Sequence, residues 1–228
     1  MRSAALFEVG TVFRMADART DERPKAAFAM TGRAEESWTG SRDYDVFDAK
    51  GAVEALMADL GVAWTLGDPV GPPFHPGRSA FVVVDGERAG VFGEIHPRVT
   101  VALDVPGRIA AGEVEIDALR RHAARSIVAR DMPRFPPVRR DLAFVLDANV
   151  TAGEVQAAIV AAGGARLASC LLFDVHVGAP LADGKKSLAF SVDLRDPGRT
   201  LEGEDVNRIV DAIVARVRDG FGGELRAG

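Results

Sequence analysis

Three prolines in six residues, in Met132-Pro133-Arg134-Phe135-Pro136-Pro137, limit the fold of this chain more than any other feature. Each removes a backbone N–H and disfavours helix at the residue before it. No helix or central strand runs through such a segment, so the 228 residues divide into 1–130 and 131–228. A polar helical stretch, Ile116 to Arg125, leads into the seam, which is placed near residue 131. With 47% apolar and 27% charged residues, the chain can bury a core without staples.

Behind the seam, Arg140 to Asp147 reads as a strand with Leu142, Phe144 and Leu146 on one face. Thr151-Ala152-Gly153-Glu154 is a capping box, and Val155, Ala158, Ile159 and Ala162 follow at helical spacing until Gly163-Gly164. Leu167 to Val177 is a second strand, Ala179 to Lys185 a turn-rich loop, and Ser187 to Leu194 a third strand. Asp205 to Val217 is an amphipathic helix, and Phe221 to Arg226 supplies a short edge strand. The order βαββαβ predicts a ferredoxin-like domain, with helices on one face of an antiparallel sheet and the other face free. Its first and third strands are the central neighbours.

Ahead of the seam the pattern is α+β. Strands are expected at Leu6–Phe13, Ala26–Met30, Ala80–Val84, Ala89–Gly93 and Ala110–Ile116, with a turn at Asp85–Arg88. A helix from Asp48 to Leu60 carries Val53, Leu56, Met57 and Leu60 on one stripe and stops at Gly61, and a short helix follows Pro97. Hairpins around one main helix suggest a mixed sheet that lacks its first strands. Such a sheet exposes an edge and calls for a partner. Met1 accordingly reads as a start inside a longer protein.

Composition excludes several function classes. Cys170 is the only cysteine, so neither an intramolecular disulfide nor a thiolate metal cluster can form, which suits the cytosol. No apolar run approaches the length of a membrane span. Residues 131–228 carry 12 Lys/Arg against 14 Asp/Glu, and residues 1–130 carry 16 against 19, so neither half has the basic excess of a dedicated nucleic-acid binder. Any RNA contact must come from a local cluster.

Candidate chemistry is sparse. His75-Pro76-Gly77-Arg78-Ser79-Ala80 is either an anion site or a structured turn with Arg78 paired to a carboxylate. Glu94 and His96, two apart at a strand end, are either a general acid–base pair or partners in one hydrogen bond. No Ser, Cys or third residue completes a nucleophile. His75, His96, His122 and His176 lack ligand spacing, and Asp43, Asp45 and Asp48 suit a helix start rather than calcium. Neither Gly-x4-Gly-Lys nor Gly-x-Gly-x-x-Gly is present. No catalytic residue and no metal ligand is assigned.

Basic pairs mark the ends of the second sheet. Arg139-Arg140 opens its first strand and Lys185-Lys186 its third, which places the two pairs at opposite ends. Arg195 and Arg199 follow the third strand, at the Arg139-Arg140 end. A phosphate-binding patch of Arg139, Arg140, Arg195 and Arg199 competes with solvated charge beside Asp141, Asp193 and Asp196.

Several segments resemble a known family. Pro133-x-Phe135-Pro136-x-Val138-x-Arg140-Asp141-Leu142, Leu172-Phe173-Asp174-Val175, Gly184-Lys185-Lys186-Ser187-Leu188-Ala189-Phe190 and Arg199-Thr200-Leu201 resemble the ferredoxin-fold anticodon-binding domain of phenylalanyl-tRNA synthetases. Phe7-Glu8-Val9-Gly10, Phe47-Asp48-x-Lys50-Gly51, His75 to Ala80 and Gly93-Glu94-Ile95-His96-Pro97 resemble segments of the bacterial beta-subunit family. The resemblance implies that residues 1–130 are the C-terminal portion of a class II synthetase-like module, an incomplete antiparallel sheet without activity, and that residues 131–228 contact the anticodon stem-loop. It implies an alpha-subunit partner in an alpha2-beta2 tetramer, tRNA as a ligand, a cytoplasmic setting without membrane contact, and ATP and Mg2+ for the full enzyme but no cofactor here. The candidate tRNA contacts are then Arg139, Arg140, Lys185, Lys186, Arg195 and Arg199. One departure is Glu202-Gly203, where the family often carries a Thr or Ser cap, which leaves the last helix start open. The alternatives are a free-standing ferredoxin-like RNA-binding or regulatory protein, which leaves residues 75–97 unexplained, and a small hydrolase using Glu94 and His96.

Overall fold

The computed structural model describes residues 3–16, 19–37, 40–105, 107–123 and 132–226. The seam position near residue 131 lies outside them. The chain forms two compact units, Met1–Val128 and Ala129–Gly228.

In the first unit, β1 (Ala4–Ala16) and β2 (Arg19–Thr31) make a long hairpin. The small pair β3 (Arg33–Ser37) and β4 (Gly40–Asp43) precedes α1 (Val46–Leu60). Then come β5 (Thr65–Leu66), β6 (Phe74–Val84), β7 (Glu87–Ile95), α2 (Pro97–Ala102), β8 (Ile109–Glu115) and α3 (Ile116–His122). Six strands join in the order β1-β2-β8-β7-β6-β5. Every pairing is antiparallel, as the family resemblance implied, and not mixed as the hairpin pattern suggested.

Helix α1 begins two residues before Asp48 because Asp45 caps it. Asp45 Oδ1 accepts from the Phe47 N–H at 2.8 Å, and Asp48 Oδ2 accepts from the Asp45 N–H at 2.9 Å. Arg42 grips Asp48 at 2.7 and 2.8 Å, and that bond holds the Asp48 carboxyl below its usual range. Gly61, at φ 63°, ends the helix in the left-handed region. Ala49, Val53 and Met57 pack onto Val82, Phe92, Ala110 and Val114 to form this unit's core.

The second unit runs β9 (Val138–Asp147), α4 (Ala152–Gly163), a 3-10 turn, β10 (Leu167–Val177), β11 (Lys185–Leu194), α5 (Gly203–Phe221) and β12 (Glu224–Leu225). The order β10-β11-β9-β12 is the expected ferredoxin-like sheet with β9 and β11 central. Leu142, Phe144 and Leu146 face Val155 and Ile159 of α4 and Val206, Ile213 and Val217 of α5. Thr151 Oγ1 accepts from the Glu154 N–H at 3.3 Å, and Glu154 Oε2 accepts from the Thr151 N–H at 3.0 Å. Helix α5 starts two residues ahead of Asp205, with Glu202 as an N-cap that makes no side-chain cap bond. Among the described residues no helix is long and apolar enough to cross a membrane.

Candidate nucleic-acid interface

Strand alternation decides which residues reach the uncovered face of the second sheet. Even-numbered residues of β9 and β11 enter the core, so Arg139, Asp141, Ser191 and Asp193 lie on the opposite face. Edge strand β10 adds Ser169, Leu171 and Phe173, and together these seven line a hollow of about 310 Å³. Register shifts between Leu172 and Asp174, leaving Phe173 without a partner on β11 and still 54% exposed; Leu171 is 63% exposed.

Arg139 and Asp193 organise the rim. The Arg139 guanidinium donates to both Asp193 oxygens at 2.8 and 3.0 Å, and the Ser169 hydroxyl donates to Asp193 at 2.9 Å. Arg139 holds the Asp193 carboxyl below its usual range, with Ser169 helping, and Asp193 raises Arg139. The hollow therefore presents an aromatic and an aliphatic wall beside a neutralised ion pair, with Asp141 as a further negative charge.

The six predicted tRNA contacts do not assemble into one patch. Arg140 leaves the sheet on the side opposite Arg139, and its Nη1 donates to the Arg139 carbonyl at 2.9 Å. Arg199 is committed to Asp205, in the first turn of α5, at 2.5 Å. Arg195 lines a separate cleft of about 840 Å³ with Arg134 and Pro197, and its Nε is buried without a hydrogen-bond partner. Asp196, beside it, is bound by Arg166 at 3.2 Å. At the far end of the sheet, Lys185 pairs with Asp147 at 2.7 Å and Lys186 donates to the Ala148 carbonyl at 2.9 Å. Of the expected convergence, Arg139 and Arg195 both act on Asp193. The rest alternate with carboxylates.

Leu171 and Phe173 line the hollow and were passed over by sequence reasoning. The signal was present, since Leu167 to Val177 carries apolar residues at both parities although only one face of its sheet is covered.

In the first unit, residues 75–78 of β6 bulge opposite Glu94 alone, between the pairs Phe74–Ile95 and Ser79–Gly93. Gly93, at φ 158°, permits this, because a Cβ there would lie 2.5 Å from the Arg78 carbonyl oxygen. Glu94 is 3% exposed and accepts from Arg78 Nε at 2.7 Å, with Arg108 Nε at 3.5 Å. Its second oxygen takes the Val46 N–H at 3.4 Å. The turn with Arg78 paired to a carboxylate is thus the arrangement adopted. Glu94 and His96 do not form the mutual bond considered for them. The His96 Nδ1 caps α2 by accepting from the Arg98 N–H, and the His75 Nδ1 accepts from the Gly77 N–H, both at 3.1 Å. The Ser79 hydroxyl donates to the His75 carbonyl at 2.8 Å, and nothing pairs it with either imidazole. These groups strap a turn.

Comparison with known proteins agrees with both units. The family model for the phenylalanyl tRNA synthetase beta chain CLM domain matches residues 1–116, and that for the ferredoxin-fold anticodon binding domain matches residues 133–226. The chain is 39% identical to the phenylalanine–tRNA ligase beta subunit of Vibrio vulnificus (strain YJ016), over 97% of this chain and 28% of that protein. It is 42% identical to the Bifidobacterium longum beta subunit, over 92% of this chain and 25% of the relative. For Symbiobacterium thermophilum the identity is 38%, over 100% and 26%. The chain spans about a quarter of the length of these curated relatives. With both halves matched in order, this chain belongs to the phenylalanyl-tRNA synthetase beta chain family and carries that family's ferredoxin-fold anticodon-binding domain.

Proposed function

We propose that this chain serves as the C-terminal portion of the beta subunit of a phenylalanine–tRNA ligase, an enzyme that attaches phenylalanine to its tRNA using ATP. Residues 1–130 are the end of a catalytic-like module without activity of its own, and residues 131–228 meet the anticodon stem-loop. The partners are an alpha subunit, in an alpha2-beta2 tetramer, and tRNA, and the setting is the cytoplasm. Among the described residues no three His, Cys, Asp or Glu side chains gather as a metal ligand set. The whole enzyme uses ATP and Mg2+, and no step is assigned to them here.

The observation that carries the RNA contact is the uncovered hollow with Leu171 and Phe173 exposed beside Arg139. An exposed aromatic on a sheet face offers a stacking surface worth about 1–3 kcal/mol per base. The Arg139–Asp193 pair holds the guanidinium at the rim, where a phosphate competes with the carboxylate. Unpaired loop bases suit such a surface, whereas a duplex hides its base faces. Binding of a phenylalanine tRNA to the complex of this chain with its alpha subunit tests the reading. Phe173→Ala should weaken binding roughly 5–100-fold without lowering phenylalanine activation. Unchanged affinity in that variant would remove the stacking surface from the proposal. Pyrophosphate exchange by this chain alone, with ATP and phenylalanine, should not rise above the buffer blank.

A further inference from the structure

The second unit is crowded with arginine–carboxylate pairs. Arg139 holds Asp193, Arg166 holds Asp196 and Arg199 holds Asp205. Two guanidiniums of the same region are left over. Among the described residues neither Arg134 nor Arg195 forms an ion pair, and both line the cleft of about 840 Å³.

The path of the chain explains why Arg195 has no partner. Its N–H donates to the Arg166 carbonyl at 2.8 Å, which ties the end of β11 to the 3-10 turn after α4. The carboxylates on either side of it in sequence are already engaged. Asp193 accepts from Arg139 at 2.8 Å and from Ser169 at 2.9 Å. Asp196 accepts from Arg166 at 3.2 Å and from the Gly198 N–H at 2.9 Å. The Arg195 Nε is therefore buried without an acceptor, whereas buried polar groups are as a rule satisfied.

The cleft can supply the missing acceptor. Small side chains, Ala165 and Ala168, keep its wall back, and its volume lies in the range that takes a nucleotide-sized ligand. Its one carboxylate, Asp196, is neutralised by Arg166, so the charges of Arg134 and Arg195 are uncompensated. A wall of one sign selects an anion, and paired guanidiniums suit the oxygens of a phosphate. The position of the cleft names the source. Ala168 on its wall precedes Ser169 on the wall of the hollow that carries Phe173, and Asp193, two residues before Arg195, lines that hollow as well.

From the orphaned donor and the uncompensated charge, we infer that Arg134 and Arg195 share one phosphate in this cleft, a backbone phosphodiester of the strand whose base stacks on Phe173. The inference rests on the proposed RNA contact for the source of the phosphate, and not for the site.

The full chain tests the site without RNA. The buried Arg195 Nε–H should give a slowly exchanging side-chain signal in nitrogen–proton correlation spectra, identified by its loss in Arg195→Lys. Inorganic phosphate should shift that signal saturably, and sodium chloride at equal ionic strength should not. Arg134→Ala, at an exposed position, should weaken the phosphate response about tenfold. A signal that ignores phosphate, or follows both salts alike, means that water satisfies the donor and would overturn the inference. Binding of tRNA to the complex with the alpha subunit decides the source. Arg134→Ala with Arg195→Ala should flatten the slope of log affinity against log salt by about 0.7–0.9, the value for one phosphate. Flattening by about 1.4–1.8 means two separate contacts and overturns the sharing. A phosphate response with an unchanged tRNA slope gives the cleft to a free phosphate and overturns the RNA source. Phe173→Ala leaves the cleft intact, so failure of the stacking surface and failure of the phosphate site register in different variants.

Discussion

Glu94 sets the terms for residue-scale chemistry in the first unit. A nearly buried carboxylate is tolerated only when charge-assisted bonds replace water, and here Arg78, Arg108 and the Val46 N–H supply them. Arg78 is partly exposed, so its removal costs less than a fully buried pair would. Arg78→Ala should destabilise the unit by about 1–3 kcal/mol, the cost of leaving a charged acceptor underpaired. Both tryptophans, Trp38 and Trp64, belong to residues 1–130, so the fluorescence melt reads this unit separately. A melt unchanged within about 0.5 kcal/mol would show that Arg108 suffices. Asp48 gives the pH-dependent counterpart. Its carboxyl is lowered in the fold by the Arg42 bond, so its contribution is complete above the ordinary carboxylate value, about 3.9, and is lost as pH falls below it. Asp48→Asn should cost roughly 1 kcal/mol at neutral pH and flatten the loss of fluorescence stability below about pH 4. Equal slopes in the two proteins would place that acid sensitivity on other carboxylates.

Among the elements, legibility followed the strength of local chemistry. Helix α4 was readable because a capping box opens it and a glycine pair closes it, whereas α1 was read two residues short because the cap is Asp45. Strand β2 was expected only over Ala26–Met30, and its first half was missed. Arg19-Thr20-Asp21-Glu22-Arg23-Pro24-Lys25 looks like a loop by charge and by its proline. It is a strand because β8 supplies opposite charges across the ladder, Lys25 to Glu113 at 2.6 Å and Arg23 to Glu115 at 3.5 Å. Pro24 lies one residue beyond the last β2–β8 pair, so its missing N–H costs no bond there. Two-residue β5 carries too little pattern to be read at all. If the capping box rather than helix propensity fixes α4, Thr151→Ala should lower the stability of the second unit by about 1 kcal/mol. Circular dichroism should register that change while the tryptophan melt of the first unit stays in place. An unmoved dichroism transition would assign the helix start to packing.

Across the whole chain, the positions of the basic residues were legible and their partners only in part. Sequence spacing located the end of the sheet where Arg139 and Arg195 both act on Asp193. It offered Asp193 as a neighbouring carboxylate but did not foresee that Asp205 would take the Arg199 guanidinium, because that contact depends on the α5 start. With a net charge of −5 and most candidate cations already paired, long-range attraction to RNA is weak and few phosphates are neutralised. If Arg139 and Arg195 each meet one phosphate, log affinity for tRNA should fall against log salt with a slope between about −1.4 and −1.8, the range for single-stranded and duplex sites. Arg139→Ala should flatten that slope by nearly one unit. Arg140→Ala should leave it unchanged, because Arg140 leaves the sheet on the opposite side. The two substitutions are adjacent in sequence and identical in charge, so composition and general electrostatics predict the same effect for both. Only strand phase separates them. Equal losses from the two variants would mean that the RNA follows the charge of the whole surface rather than the face that carries Leu171 and Phe173.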